Sequence, residues 1–262
     1  MQPVVNDKPP PFDIDRVGGL FSERQIVLPL AVASLITLAL SLTFLHVQTL
    51  VTLPAGLSRY LDNGYCQSMI ALFVAILLYA MLQYLGLHAE RLHLQQRFGT
   101  DEARQGSRLQ DWLAYLSGRS MRDEETVAAA LQRWSGQARD REDWTLVSDY
   151  LLMLRSQQHQ HNFAPIGFAI WVLPLLGFIG TVIGITQAVS GLEASIIPSD
   201  GGASGLGGVL GGLAFAFDTT FVGLVLVIPT MLLLLILRAR AQKLDMVYYR
   251  ILLDRLFHDR PD

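Results

Sequence analysis

Four long apolar blocks, separated by segments that hold nearly all of the charge, constrain this chain more than any other feature. They run from Ile26 to Leu45, from Ser68 to Leu87, from Ile166 to Val189 and from Val209 to Leu237. A helix needs about 20 apolar residues to cross the hydrocarbon layer of a bilayer, and each block meets that length. The fourth exceeds it and carries one charge, Asp218, so it is expected to tilt or to project beyond the bilayer. An apolar fraction of 51% over 262 residues does not by itself separate this chain from a soluble one; the gathering into blocks does. The expected fold is an all-α integral membrane protein of four transmembrane helices, with a helical cytoplasmic insertion between the second and the third. The first block is read as a retained span: its apolar core exceeds the ~7–15 residues of a signal peptide, and no small-x-small cleavage site follows Leu45.

Orientation follows the excess of Lys and Arg in cytoplasmic segments. Arginine recurs from Arg91 to Arg155 between the second and third blocks, and Lys or Arg recurs from Arg238 to Arg260 after the fourth. The N-terminal tail holds Lys8, Arg16 and Arg24, segment 46–67 holds only Arg59, and segment 190–208 holds none. The expected layout is a cytoplasmic tail over 1–25, spans one and two within 26–87, a cytoplasmic helical domain over 88–165, a core of spans three and four over 166–237, and a cytoplasmic tail over 238–262. Both termini then face the cytoplasm. Within 88–165, helix starts are expected near Thr100 and Ser120, and a third helix over about 141–161. The glycine-rich stretch 201–212 is expected to be the outer loop between spans three and four.

Several chemistries are disfavoured. Cys66 is the one cysteine, which rules out an intramolecular disulfide and a cysteine metal cluster. Clustered basic residues interleaved with aromatics are missing, so nucleic acid is not an expected partner. The glycines at 201–212 lack the dinucleotide-binding spacing, since Leu210 stands where the last glycine is needed. His88 and His93, and His159 with His161, are not spaced to share a helical face, and no metal site, cofactor or enzymatic nucleophile is expected.

The third and fourth blocks carry the informative residues. Gly177, Gly180 and Gly184 fall on one helical face and permit close approach of another backbone. Pro174 and Pro229 interrupt the backbone ladder and favour bending. Gly223 follows the polar run Asp218-Thr219-Thr220. Spans three and four run antiparallel, and counting inward puts Thr181 and Thr220 at similar depth, roughly 10–17 Å at 1.5 Å per residue. Polar groups near mid-membrane are costly without a partner or a function. The plain alternative is that each threonine bonds its own i−4 carbonyl. Asp218 and Thr220 differ by about 160° around the helix. If Thr220 lines a pore, Asp218 faces the bundle on a stripe with Gly211, Ala214, Val222 and Val225, bonded to a neighbouring hydroxyl or carbonyl. Asp218 and Thr219 are thus either an ion relay or bundle-facing groups.

At these residues the sequence resembles the MotA/TolQ/ExbB proton-channel family. Pro174 to Ile185 is similar to the family's P-x-x-G-x-x-G-T-V-x-G-I segment, and Thr219 to Pro229 to its A-T-A-I-G-L…I-P segment. Phe215 stands where the family often has a glutamate. The four-helix order resembles the flagellar-stator branch. By this resemblance, Thr181 and Thr220 take the places of two pore-lining threonines. It also implies a homopentamer around a single-span MotB/TolR/ExbD-like partner carrying a transmembrane aspartate, in a bacterial inner membrane. The transported ion is H⁺ or Na⁺, and the complex couples ion flow to mechanical work. Two other readings remain open: a non-conducting membrane scaffold, and part of a solute permease with Asp218 as a ligand.

The arginine asymmetry makes a direct prediction. Reporter fusions at positions 120 and 200 should report opposite sides of the membrane, with 120 in the cytoplasm; a fusion at 120 active on the outer side would reverse the orientation.

Overall fold

The computed structural model describes residues 24–48, 59–98, 141–196 and 202–258. Among them it is helical apart from the short link at 62–63. The long helices are α1 (Arg24–Gln48), α2 (Gly64–Phe98), α3 (Arg141–Ile196) and α4 (Gly202–His258). Each contains a stretch long and apolar enough to cross a membrane, as the block lengths require. In hydrocarbon a backbone N–H or C=O has no water to bond, and a helix satisfies both within itself. The chain is a multi-pass membrane protein.

Three boundaries differ from the sequence reading. Span three and the expected helix over 141–161 form one 56-residue helix that continues through Pro165 and Pro174. Likewise α4 runs on to His258, so most of the expected tail over 238–262 is helical. The stretch expected as a glycine-rich loop is the start of α4, which is helical from Gly202. Glycine destabilises a water-exposed helix, but here several glycines sit against another helix. A Cβ added at Gly191 would lie 2.8 Å from the Val209 nitrogen, and one at Gly212 would lie 2.5 Å from the Ala188 nitrogen. The expected helix starts near Thr100 and Ser120 lie outside the described residues.

The chain divides into two compact units. One gathers residues 85–98, 141–161 and 241–258 with the start of α1. Its centre is Arg155, 3% exposed. Arg155 Nη1 donates to Glu90 at 2.6 Å, and its Nε donates to Asp245 at 2.9 Å. The guanidinium lies over the Tyr248 ring at 3.8 Å, and the Tyr248 hydroxyl donates to Glu90 at 3.0 Å. His159, one turn along α3, is 3.2 Å from the same Asp245 oxygen. A buried charge is tolerated when it is paired and hydrogen-bonded, and this arginine joins α2, α3 and α4.

The other unit holds residues 29–84 and 162–240. Its core includes Tyr79, Ile166, Leu173 and Leu237, each under 2% exposed. The Tyr79 hydroxyl donates to the Asn162 carbonyl at 2.7 Å, tying α2 to α3. The α3–α4 seam is packed backbone to backbone. A Cβ at Gly184 would meet the Gly212 carbonyl at 2.5 Å, and one at Gly223 would meet the Leu173 carbonyl at 2.8 Å. Most of α1 turns Leu35, Leu38, Leu40 and Leu42 outward, the exposure expected of a helix that faces lipid.

Contact and open space predict opposite signs for one substitution. Gly184→Ala should destabilise the protein by about 1–3 kcal/mol, since the neighbour is rigid backbone. Gly207→Ala, where an added Cβ meets nothing within 4 Å, should be neutral or stabilising by up to about 1 kcal/mol. Denaturant unfolding in detergent reads both; equal losses would contradict the packing.

Candidate functional site

The seam places polar groups where the packing is closest. Gly177 permits it: a Cβ there would lie 3.2 Å from the Thr219 carbonyl oxygen and 3.2 Å from the Thr220 Cα. At Gly180 a Cβ would overlap the Thr219 side chain, 2.5 Å from its Cβ. With α3 and α4 this close, the Thr181 and Thr220 hydroxyls are in direct hydrogen-bonding contact. Each also reaches two carbonyls. Thr181 Oγ1 lies 3.0 Å from the Gly177 oxygen and 3.4 Å from that of Ala216. Thr220 Oγ1 lies 3.1 Å from the Ala216 oxygen and 3.3 Å from that of Gly177. The i−4 bonds of the plain alternative are therefore present, together with cross-helix bonds that alternative does not contain.

Hydroxyl chemistry gives this arrangement its interest. Two hydroxyls bring two donor hydrogens to four acceptor positions: the two hydroxyl oxygens and the Gly177 and Ala216 carbonyls. Either threonine can donate to the other while the other donates to a carbonyl. The two arrangements interconvert by rotation about the C–O bonds, with no movement of a helix. An exposed apolar surface flanks the pair. On α3 it includes Phe178 and Ile185, and on α4 Phe217, Phe221 and Leu224, all at least half exposed. Thr181 and Thr220 are half-buried at its edge, whereas Thr219 is fully buried. Thr219 donates to the Phe215 or Ala216 carbonyl at 3.0 or 3.1 Å and fills the space left by Gly180.

Asp218 is 8% exposed, beside buried Val222, but Gly211 and Val225 of its expected stripe are exposed. Its partner is not the expected hydroxyl or carbonyl. Arg59 Nε donates to Asp218 Oδ2 at 2.7 Å. The hydrogen bond and then the charge of Asp218 raise the Arg59 guanidinium above its ordinary value. A carboxylate facing the bundle takes a cation where one is in reach, and the segment ahead of α2 brings it. Tyr60 packs on Phe221 with ring centres 5.8 Å apart, and the Tyr65 hydroxyl donates to the Leu176 carbonyl at 2.8 Å. The Asn63 side chain accepts from the Tyr65 N–H at 3.0 Å, capping α2. The signal for Arg59 was in the sequence, as the sole Lys or Arg of segment 46–67; its pairing with Asp218 was not.

Pro174 and Pro229 lie inside α3 and α4, and Gly223 touches α3 near Gly177. A family model described as the MotA/TolQ/ExbB proton channel family matches residues 120–249. Over that stretch the chain belongs to the MotA/TolQ/ExbB family. The stretch contains Thr181, Asp218, Thr219 and Thr220, so the hydroxyl pair lies within the part shared with these proton channels; Arg59 lies outside it. Comparison with the curated proteins and with the solved structures gives no match. Membership of the MotA/TolQ/ExbB family points to a membrane proton-channel subunit of an energy-transducing complex, a class of channels rather than of enzymes.

Proposed function

We propose that this chain is the ion-conducting subunit of a motor complex in which proton flow is coupled to mechanical work. The observation that carries the reading is the Thr181–Thr220 hydroxyl contact at the edge of an exposed apolar face. A carboxylate on a partner helix, moving past that face, needs a neutral group that both donates and accepts, and the pair provides it without a charge of its own. The reading includes a homopentamer whose third and fourth helices form the inner ring, with the first two outside against lipid. Two single-span MotB/TolR/ExbD-like helices, each carrying an aspartate, occupy the centre. Both termini lie on the cytoplasmic side of a bacterial inner membrane. The apolar exposure of Phe178, Phe217 and Phe221 supports such an assembly, because a face of this kind is suited to other helices or to lipid.

A non-conducting scaffold is the second reading, favoured by the i−4 bond that each threonine makes to its own helix. Substitution to valine separates the two, since it keeps the shape and removes the hydroxyl. In vesicles holding the complex with its single-span partner, Thr181→Val with Thr220→Val should lower proton flux by about tenfold or more, the scale of losing a positioned proton-transfer group. Native mass spectrometry should show the same stoichiometry as the parent complex. Parent-level flux in the double variant would favour the scaffold.

A further inference from the structure

Asp218 lies close to Thr220 in the chain, yet the Arg59–Asp218 pair takes no part in the hydroxyl contact. Asp218 is the one acidic residue of the fourth apolar block, and its neighbours Thr219 and Thr220 hold the packing and the contact just described. An isolated carboxyl so placed would be a natural proton acceptor. Its partner changes what it can do. The guanidinium donates from Nε at 2.7 Å and remains charged. A proton reaching Asp218 would have to displace this hydrogen bond and would find no onward acceptor in arginine. The threonine pair, by contrast, hands a hydrogen bond on by switching donor and acceptor.

The pair is poorly suited to being mainly a structural clamp. The Arg59 side chain is 54% exposed against 11% for Asp218, so the arginine is not locked into the bundle by its surroundings. Segment 59–65 is held independently by the Tyr65 hydroxyl on the Leu176 carbonyl and by the Tyr60–Phe221 contact. These phenols deliver Arg59 to the carboxylate without the ion pair having to bring the segment there.

We propose that Arg59 determines the route of the transferred proton: by holding Asp218 it takes the chain's own bundle-facing carboxylate out of the ion path and leaves transfer to Thr181, Thr220 and the partner's acid. Arg59 is thus a specificity-determining residue, acting through Asp218. The inference rests on the conducting function proposed above.

Infrared difference spectroscopy of the purified chain in lipid, titrated from neutral to mildly acidic pH, reads the carboxyl directly. The protein and its Arg59→Lys variant should show no protonated-carboxyl band that Asp218→Asn removes, whereas Arg59→Gln should gain one. In vesicles with the partner, Arg59→Gln should lose flux and acquire a pH dependence, and Arg59→Gln with Asp218→Asn should recover parent flux. An Asp218-dependent band in the unaltered protein would overturn the inference, even if Arg59→Gln fails to assemble. So would an assembled double variant as impaired as Arg59→Gln alone. Absence of flux from the unaltered complex would instead count against conduction, and the infrared titration would still decide the state of the pair.

Discussion

Two helices in a bilayer gain little from hiding apolar side chains, because the surrounding lipid is equally apolar; they hold together where their backbones touch. In this chain α3 and α4 touch because glycine recurs where a side chain would collide. A Cβ at Gly184 would strike the Gly212 carbonyl, one at Gly191 the Val209 nitrogen and one at Gly223 the Leu173 carbonyl. The hydroxyl contact depends on that approach. Gly177 allows the Thr220 backbone to come near enough for Thr220 to reach both Thr181 and the Gly177 carbonyl. An interhelical hydrogen bond in a membrane is worth about 0.6 kcal/mol on average, so the threonines gain from the seam more than they create it. Their interest is chemical: they are neutral groups that exchange donor and acceptor roles at the edge of an apolar face.

Charge is handled in two ways. Arg155 is buried, bonded to Glu90 and Asp245 and stacked on Tyr248, and removing one member would leave an uncompensated charge in its unit. Arg59 is half exposed and bonded to one carboxylate, that of Asp218. The first arrangement joins three helices; the second leaves the fold nearly indifferent and alters what a carboxylate can do. How deeply the charge is buried, and how many partners it has, decides which of the two it is.

The spans were legible because hydrocarbon imposes a length that no other environment demands, so the block at 166–189 announced a helix from composition alone. The threonines were legible because a polar group in such a block requires an explanation, and antiparallel counting placed the two at one depth. The start of α4 was misread because Gly202 to Gly212 follows the pattern of a soluble loop, and glycine's role depends on a neighbour the pattern does not show. The helix expected over about 141–161 and the span from Ile166 were read as separate, yet α3 runs through Pro165 between them. Arg59 and Asp218 stand 159 residues apart, and no local rule pairs them. Nor does spacing along α3 reveal that Arg155 and His159 share Asp245 on α4.

Thr181 meets Thr220 at the seam while Thr219 packs against Gly180. Cysteine pairs test it in the intact membrane. Hydroxyls in contact place their β carbons within reach of a disulfide, so Thr181→Cys with Thr220→Cys, in a chain whose Cys66 is replaced by Ser, should cross-link rapidly within one chain under mild oxidation. Thr181→Cys with Thr219→Cys should not. Cross-linking of the second pair and not the first would contradict the seam described here.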